Sequence, residues 1–518
     1  MRDYRRVLFV VVILTLAGIA LSSFADLQNV QIGGSIRIRG NWYSGSSGPD
    51  KYTALRYPAT PGRFEVDSPF FGWNHDANTL AWVEQRTKLH AKADFTDNVS
   101  AFIELDSYDV SGEDFRSNYL TGVDSRSSAG VVNTFWGPDG DVEVYQAYIE
   151  AREMFGLPLR MRIGRQELNL GSGWLVAPND TAALFFGTSF DAVRLTYATD
   201  KFSVDGFWSK LAKYSPLQED ADIDFYGIYA SYLGIENVTL DAYWLYLRDA
   251  QTPSFLGVSA PVVPAVLAAN SPDPTNLHTV GLRGHGVVGA LDFEAEVAYQ
   301  FGDANAEGMA FAGEGSVSPC GPKDPSFDNW GANLEIGYTF DVAWKPRAFV
   351  GGAYFGGEDN RGPKSFREWL DASFNPHWRP KPSVSFNRLF SSWEYSEFME
   401  NTDMSNAWVA RWGVVLHPTE QLKVSLLGMH CATLEPFRAP GRLPFITHEN
   451  DADMGWEAEI IANYVYSPDL PFEAGYAHLF VESGLREGGF SSGNGLIFNG
   501  GTAKDDADYV YFETKLTF

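Results

Sequence analysis

The stretch Leu291-Asp292-Phe293-Glu294-Ala295-Glu296-Val297-Ala298-Tyr299-Gln300-Phe301 decides the fold. Leu291, Phe293, Ala295, Val297, Tyr299 and Phe301 make one apolar face, and Asp292, Glu294, Glu296, Ala298 and Gln300 make an acidic one. Successive side chains of a β-strand point to opposite faces, so a sustained period of two reads as strand. The rule returns downstream. Trp330, Ala332, Leu334, Ile336, Tyr338 and Phe340 alternate with Gly331, Asn333, Glu335, Gly337 and Thr339. Met454, Trp456, Ala458, Ile460, Ala462, Tyr464 and Tyr466 alternate with Glu457, Glu459 and Asn463, and the chain ends on Val510, Phe512, Thr514, Leu516 and Phe518. In a soluble sandwich such apolar faces meet a core. Aromatic residues gathered at the ends of the faces fit the inverted case, a transmembrane barrel whose apolar face meets lipid and whose charged face lines water.

The connections test this independently. Short links appear at Thr96-Asp97-Asn98, Phe155 to Pro158, Thr199-Asp200, Gly234 to Asn237, Val288-Gly289, Asp341 to Pro346, His417 to Glu420 and Ser467-Pro468-Asp469. Between them lie long stretches rich in Gly, Pro, Ser, Asn and Asp: Asn41 to Thr79, Gly112 to Gly140, Leu168 to Thr188, Ala250 to Asn276, Asp303 to Asp328, Gly357 to Asp403, Thr433 to Asp451 and Gly484 to Asp505, with a briefer one at Tyr214 to Asp222. The predicted fold is all-β: a transmembrane antiparallel β-barrel of about 18 strands, with short periplasmic turns and long extracellular loops. A barrel of about 16–18 strands is wide enough for an aqueous channel.

The N-terminus carries Arg2, Arg5 and Arg6 ahead of an apolar run from Val7 to Leu21, then Ser23-Phe24-Ala25 with small residues where a signal peptidase reads. It is expected to be a cleaved secretory signal over residues 1–25, leaving a barrel over 26–518. No other segment offers the roughly 18 consecutive apolar residues of a membrane-spanning helix. The formal charge is -27; the signal holds three Arg against Asp3, so the mature charge is -27 minus 2, or -29. Such a field repels polyanions in general and argues against nucleic acid as a partner. Two cysteines exclude a disulfide-dense scaffold and a four-thiolate zinc site. Export through an oxidising compartment permits Cys320 and Cys431 to pair, and two buried thiols fit equally well.

Gly164-Arg165-Gln166-Glu167-Leu168-Asn169-Leu170-Gly171-Ser172-Gly173-Trp174, followed by Ser189-Phe190-Asp191-Ala192-Val193-Arg194-Leu195, resembles the GRQ…YG…FDxVRL signature of the alginate export family of outer-membrane porins. Asn169-Leu170-Gly171 stands where that family usually has Tyr-Gly. The closing part, Met454 to Glu459 through Gly475-Tyr476 to Phe518, is also similar to the family's. The resemblance implies an eighteen-stranded outer-membrane barrel in a Gram-negative-type bacterium, passing a polysaccharide or related solute with no chemical step. Membrane lipid, an anionic polysaccharide or oligosaccharide, and the barrel-assembly machinery reading the strand that ends in Phe518 are the expected partners. No cofactor and no metal are expected.

Alternation also assigns the lumen. Arg37, Arg39, Arg86, Lys88, Lys92, Arg160, Arg162, Arg194, Arg411 and Lys423 are predicted to point inward, as are Glu104, Asp106, Asp292, Glu294, Glu296, Glu335, Glu457 and Glu459. Cations dominate the early strands and the region of Arg411, so a basic arc should face acidic arcs, the arrangement by which pores select charged solutes. Strict parity sends Arg165 toward lipid; a bulge at Gly164 would turn it inward and pair it with Asp191 across neighbouring strands. Arg165 and Asp191 are therefore counted with the solute path, with an interfacial Arg, or a purely structural pair, as the alternatives.

The loop from Gly357 to Asp403 holds a capping box, Ser365-Phe366-Arg367-Glu368, and the aromatics Phe374, Trp378, Phe386, Phe390, Trp393, Tyr395 and Phe398; their faces suit sugar stacking, but so many apolar groups are expected to form a small core folding over the barrel mouth, with the apolar loop Pro261 to Ala269 packed beside it or folded into the pore. Gly281 to Gly286 is read as a bend in a strand. Enzymatic readings lose: Glu457 and Glu459 are spaced like glycosidase carboxylates, but a watery lumen requires such pairs anyway. His448-Glu449 lacks the second zincin histidine, since Ala452 stands there. Asp220, Asp222 and Asp224 could attract a divalent cation at a loop edge, and His430 shows no partner. An outer-membrane channel, specific or general, and a loop-plugged barrel serving adhesion or assembly remain.

Overall fold

The computed structural model describes residues 28–44, 65–66, 79–110, 142–178, 187–213, 222–250, 274–304, 326–357, 367, 370, 383–398, 405–435, 438–439, 448–449, 451–484, 490–491, 497–498 and 506–518. Eighteen antiparallel strands close on themselves. The first half comprises β1 (Asn29–Ser44), β2 (Thr79–Thr96), β3 (Val99–Val110), β4 (Glu143–Ala151), β5 (Leu159–Gln166), β6 (Phe190–Ala198), β7 (Phe202–Lys213), β8 (Asp222–Ile235) and β9 (Val238–Asp249). The second comprises β10 (Thr275–Val288), β11 (Leu291–Asp303), β12 (Ser326–Thr339), β13 (Arg347–Phe355), β14 (Ala407–Leu416), β15 (Leu422–Thr433), β16 (Asp453–Ser467), β17 (Leu470–Val481) and β18 (Ala507–Thr517). Closure comes from β1, which pairs with β2 through Arg37↔Arg86 and with β18 through Arg37↔Lys515. Closing the sheet removes the unpaired edge that lipid cannot solvate. No helix among the described residues is long and apolar enough to cross a membrane.

Burial runs inside out. Ile32 is 73% exposed and Val350 63%, whereas Arg39 and Gln300 are fully buried. On β11, Leu291, Val297 and Phe301 face outward and Glu296 and Gln300 inward, as the alternation requires. Aromatic residues collect at both rims. Toward the long loops, Tyr226, Tyr246, His278 and Phe301 stack in a ladder across β8 to β11, ring centroids 4.4–5.6 Å apart, and Trp330 and Trp408 stand nearby on the same face. Toward the short turns stand Tyr338, Phe340, Trp344, Tyr464 and Tyr466.

The structure departs from the sequence reading in the bulges. The ladder from β4 through β5 to β6 runs without a register shift, with Gly164 opposite Tyr148 and Ala192, so the expected bulge at Gly164 is absent. Gly164 instead adopts φ +127°, and a Cβ there would lie 2.3 Å from the Ala147 carbonyl oxygen. Ladders elsewhere do shift, and in β16 Cys431 pairs with Gly455 and Ala432 with Asp453, leaving Met454 unpaired. Gly455 at φ +140° permits that bulge, and Met454 turns into the interior rather than toward lipid. Gly281 to Gly286 forms no bend. It continues β10, and Gly281 makes room for the Tyr243 ring opposite, which a Cβ would approach to 2.2 Å.

Candidate functional site in the barrel lumen

Two inserted segments enter the lumen from its long-loop end. Residues 167–178 follow β5 and residues 383–398 precede β14, and they join at Val176 and Phe390: Ala177 N–H donates to Phe390 O at 2.9 Å, Phe390 N–H to Leu175 O at 2.8 Å and Ser392 N–H to Gly173 O at 3.0 Å. Apolar residues drive the insertion. Trp174 is fully buried between Phe355 and Phe386, its indole N–H donating to Tyr395 Oη at 3.0 Å. The wall then anchors the insert through polar pairs. The Gln300 side chain donates to Asn387 O and accepts from Asn387 N–H, both at 2.7 Å. Glu457 accepts the Glu397 N–H at 2.8 Å and the Ser396 hydroxyl. Of the predicted loop core, Phe386, Tyr395 and Phe398 are buried and Phe390 and Trp393 half-buried. Phe374, Trp378, Ser365, Phe366 and Glu368 of the capping box, and the Pro261 to Ala269 loop lie outside the described residues, as do Cys320 and Asp220. Cys431 is buried on β15.

The predicted lumen cations point inward and meet carboxylates. Arg37 makes two 2.8 Å bonds to Glu513. Arg86 grips Asp106 at 2.6–3.0 Å. Lys88 lies 3.6 Å from Glu104, Lys92 3.1 Å from Asp94, Arg162 2.6 Å from Glu150 and Arg194 2.9 Å from Asp205. Several also sit over rings: Lys88 4.3 Å from the centre of Tyr145, Arg162 4.2 Å from Tyr148 and Arg39 4.0 Å from Tyr511. Among the described residues Arg160, Arg411 and Lys423 form no ion pair; Arg160 reaches the Thr196 hydroxyl at 3.3 Å and Arg411 the Glu394 carbonyl at 3.4 Å. Arg347, Arg411 and Lys423, with Glu335, Glu397 and Glu459, line a cavity of 330 Å³ beneath the insert.

Arg165 and Asp191 are not part of this lining. With no bulge to turn them, both face outward, bonded to each other at 2.9 and 3.1 Å at the long-loop rim. Their neighbours explain the motif. Gly164 admits the close approach of β4, and Gln166, fully buried on the inner side, donates to Ala192 O at 3.0 Å and Gly164 O at 3.2 Å. Asp222 and Asp224 hold Lys210, at 2.9 and 2.5 Å, so their charge is spent on a lysine rather than a divalent cation. His430 has the partner its sequence neighbourhood hides, Asp453 at 3.0 Å.

The sequence reading missed Arg283 and Arg347, which neutralise the wall assigned as acidic. Arg283 bonds Asp241 at 2.6 Å and Glu294 at 2.5 Å, and Arg347 bonds Glu335 at 2.8 Å. It also missed Glu150, Asp205 and Glu513 on the basic side, and the inward tyrosines Tyr43, Tyr145, Tyr229, Tyr243, Tyr509 and Tyr511. Parity marks all of them, but a lumenal tyrosine has the same letter as a girdle tyrosine.

The comparisons agree with this architecture. Pseudomonas aeruginosa OccK8 (OprE) aligns over 94% of this chain and 98% of its own, at 11% identity and a TM-score of 0.50. Acinetobacter baumannii OccAB2 aligns over the same shares, at 10% identity and 0.49. At such identities the likeness concerns the fold alone. No curated protein matches in sequence. The alginate export family matches residues 63–494, and with a closed porin-like barrel of inverted polarity, this chain is a Gram-negative outer-membrane channel protein belonging to the alginate export family.

Proposed function

We propose that the barrel passes an anionic, carboxylate-bearing polysaccharide or oligosaccharide of the alginate type across the outer membrane, without a chemical step. The observation that carries this reading is the wall from β1 to β6. It presents Arg37, Arg39, Arg86, Lys88, Arg162 and Arg194 to the lumen, with Tyr145, Tyr148 and Tyr511 beneath four of them. Stacked cations hold carboxylates by exchangeable ion pairs, and the ring faces between them suit the apolar faces of sugars. The wall's own carboxylates then act as place-holders that a uronate chain replaces in turn. The mature chain begins at Asp26 after loss of its leader, and the strand ending in Phe518, whose backbone bonds Gly34, is the one offered to the assembly machinery.

Planar-bilayer recording tests the reading. In a KCl gradient the reversal potential should show anion preference, and neutralising the pair with Arg86→Gln and Lys88→Gln should reduce it. Cation preference indifferent to those changes would end the proposal. The second reading, a plugged barrel serving adhesion or assembly, is favoured by the insert at 167–178 and 383–398. Conductance separates the two: a permanently plugged barrel carries almost no current, even with solute present.

A further inference from the structure

Arg39 is the anomaly of the lumen. It is fully buried, yet none of its three guanidinium nitrogens makes a hydrogen bond. The nearest carboxylate oxygens belong to Glu397 at 3.7 Å and Glu513 at 3.8 Å. Glu513 already gives both oxygens to Arg37. Guanidinium stays charged, and burying an unbonded charge is costly. Such a group is placed to receive an acceptor better than the one beside it.

The surroundings define that acceptor. The Arg39 guanidinium carbon sits over the Tyr511 ring, 4.0 Å from its centre, and its planar fork can meet a carboxylate with two parallel bonds. Tyr43, stacked between Trp82 at 5.6 Å and Tyr509 at 4.1 Å, extends the aromatic wall, whose Tyr43 and Tyr509 edges Phe398 of the insert now covers; departure of the insert bares them to the C–H face of a pyranose. A cavity of 330 Å³ beneath the insert, at the small end of ligand pockets of about 300–1,000 Å³, reaches this group through Tyr511 and Glu397, with Arg39, Tyr43 and Tyr509 behind them. Arg411 and Lys423, which form no ion pair among the described residues, line the same cavity.

We propose that Arg39, Tyr43, Tyr509 and Tyr511 form a subsite for one uronate residue, and that Glu397 of the insert occupies it as a built-in carboxylate until the solute displaces it. The inference rests on the proposed function and adds a gate to it. Glu397 cannot close the bidentate pair, because Glu457 fixes its backbone N–H and the neighbouring Ser396, while Phe398 sets its ring edge against Tyr43 and Tyr509. The seated state is therefore held by a compromise contact. A free uronate, with no such tether, takes the better geometry, and the insert loses its hold on Arg39 as it does so.

The test uses the full-length protein in planar bilayers, with trimannuronate and maltotriose as probes of similar size. In the wild type, trimannuronate should raise the open probability and maltotriose should not. Glu397→Gln should open without solute, and its apparent dissociation constant for trimannuronate should fall about tenfold, since the closed population no longer competes. Glu397→Asp should lie between the two. Adding Arg39→Gln to Glu397→Gln should keep the channel open and weaken trimannuronate at least tenfold. Heat-modifiable mobility on gels verifies folding, and if the double variant misfolds, the Glu397 pair alone decides. Wild-type gating and affinity in Glu397→Gln would overturn the inference, as would undiminished trimannuronate binding in the double variant. If anion preference still depends on Arg86 and Lys88 in that event, the proposed function survives. A wild type without anion preference and without response to trimannuronate overturns both.

Discussion

Glu457→Ala should release the insert while leaving the barrel standing. Glu457 is 2% exposed and accepts two hydrogen bonds from residues 396 and 397, its principal hold on the segment. Hydrogen bonds to a charged group contribute about 1.5–3 kcal/mol each, so the two together are worth about 3–6 kcal/mol. Part of that is offset, because truncation also removes a carboxylate whose burial is unfavourable in itself. A net shift of about 2–3 kcal/mol remains, about 30- to 150-fold in the ratio of seated to released insert. The ladders between β15, β16 and β17 do not involve the side chain, so the gel mobility of the folded barrel should be unchanged. Two measurements read the release. Single-channel conductance should rise toward that of an open barrel, and trypsin should cut at Arg388, which is 3% exposed while the insert is seated. Glu457→Gln keeps an acceptor and should fall between. If Glu457→Ala conducts and resists trypsin as the wild type does, the insert is held by its apolar core, and the assignment of Glu457 as its anchor is wrong.

Leu334→Arg, on the outward face near the middle of β12, should cost about 2–4 kcal/mol in unfolding titrations from lipid vesicles, whereas Ser203→Arg on the lumen side of β7 should not carry that penalty; equal costs would contradict the orientation of the barrel. Gly164→Ala should destabilise the barrel by at least the strain of its backbone, about 1–3 kcal/mol, because φ is +127° and the new Cβ would press on the Ala147 carbonyl. The same unfolding titration checks it, and wild-type stability would mean that β4 and β5 can part without loss.

Much of the barrel was legible because one physical rule governs most of it. Lipid on one side and water on the other force a period of two, and the turns at Thr96 to Asn98 and Ser467 to Asp469 join the strands where their Asp, Asn and Pro residues predicted. Where the rule fails locally, the sequence is silent. Gly164 and Gly455 look alike as letters; which one bulges depends on what the neighbouring strand offers, an unbroken ladder at Tyr148 and Ala192 against the extra residue beside Cys431. The lumen was legible only in part for a related reason. Parity places Arg86 and Asp106 on the inside, but their grip is a matter of register between β2 and β3, set by strand length and turn geometry. Long-range partners such as Arg37 with Glu513, or Glu397 with Arg39, arise only on closure of the barrel or insertion of a loop.

The family's motif takes on a different meaning in this light. Arg165 and Asp191 meet on the outer surface at the rim, where a charged pair can reach headgroups, and Gln166 ties two strands together through their carbonyls from inside. Gly164 sets how closely β4 can pass. Three adjacent residues thus fix a strand junction, directly at the base of the segment 167–178 that turns into the lumen and clasps 383–398. A motif that fixes this junction also positions the insert that follows it. On the proposed function, solute choice falls instead to groups outside the motif: the stacked cations of β1 to β5, the tyrosines of β18, and the carboxylate that the insert carries to them. Changes in the motif should therefore alter assembly and insert position together, while changes at Arg39 or Glu397 alter what passes.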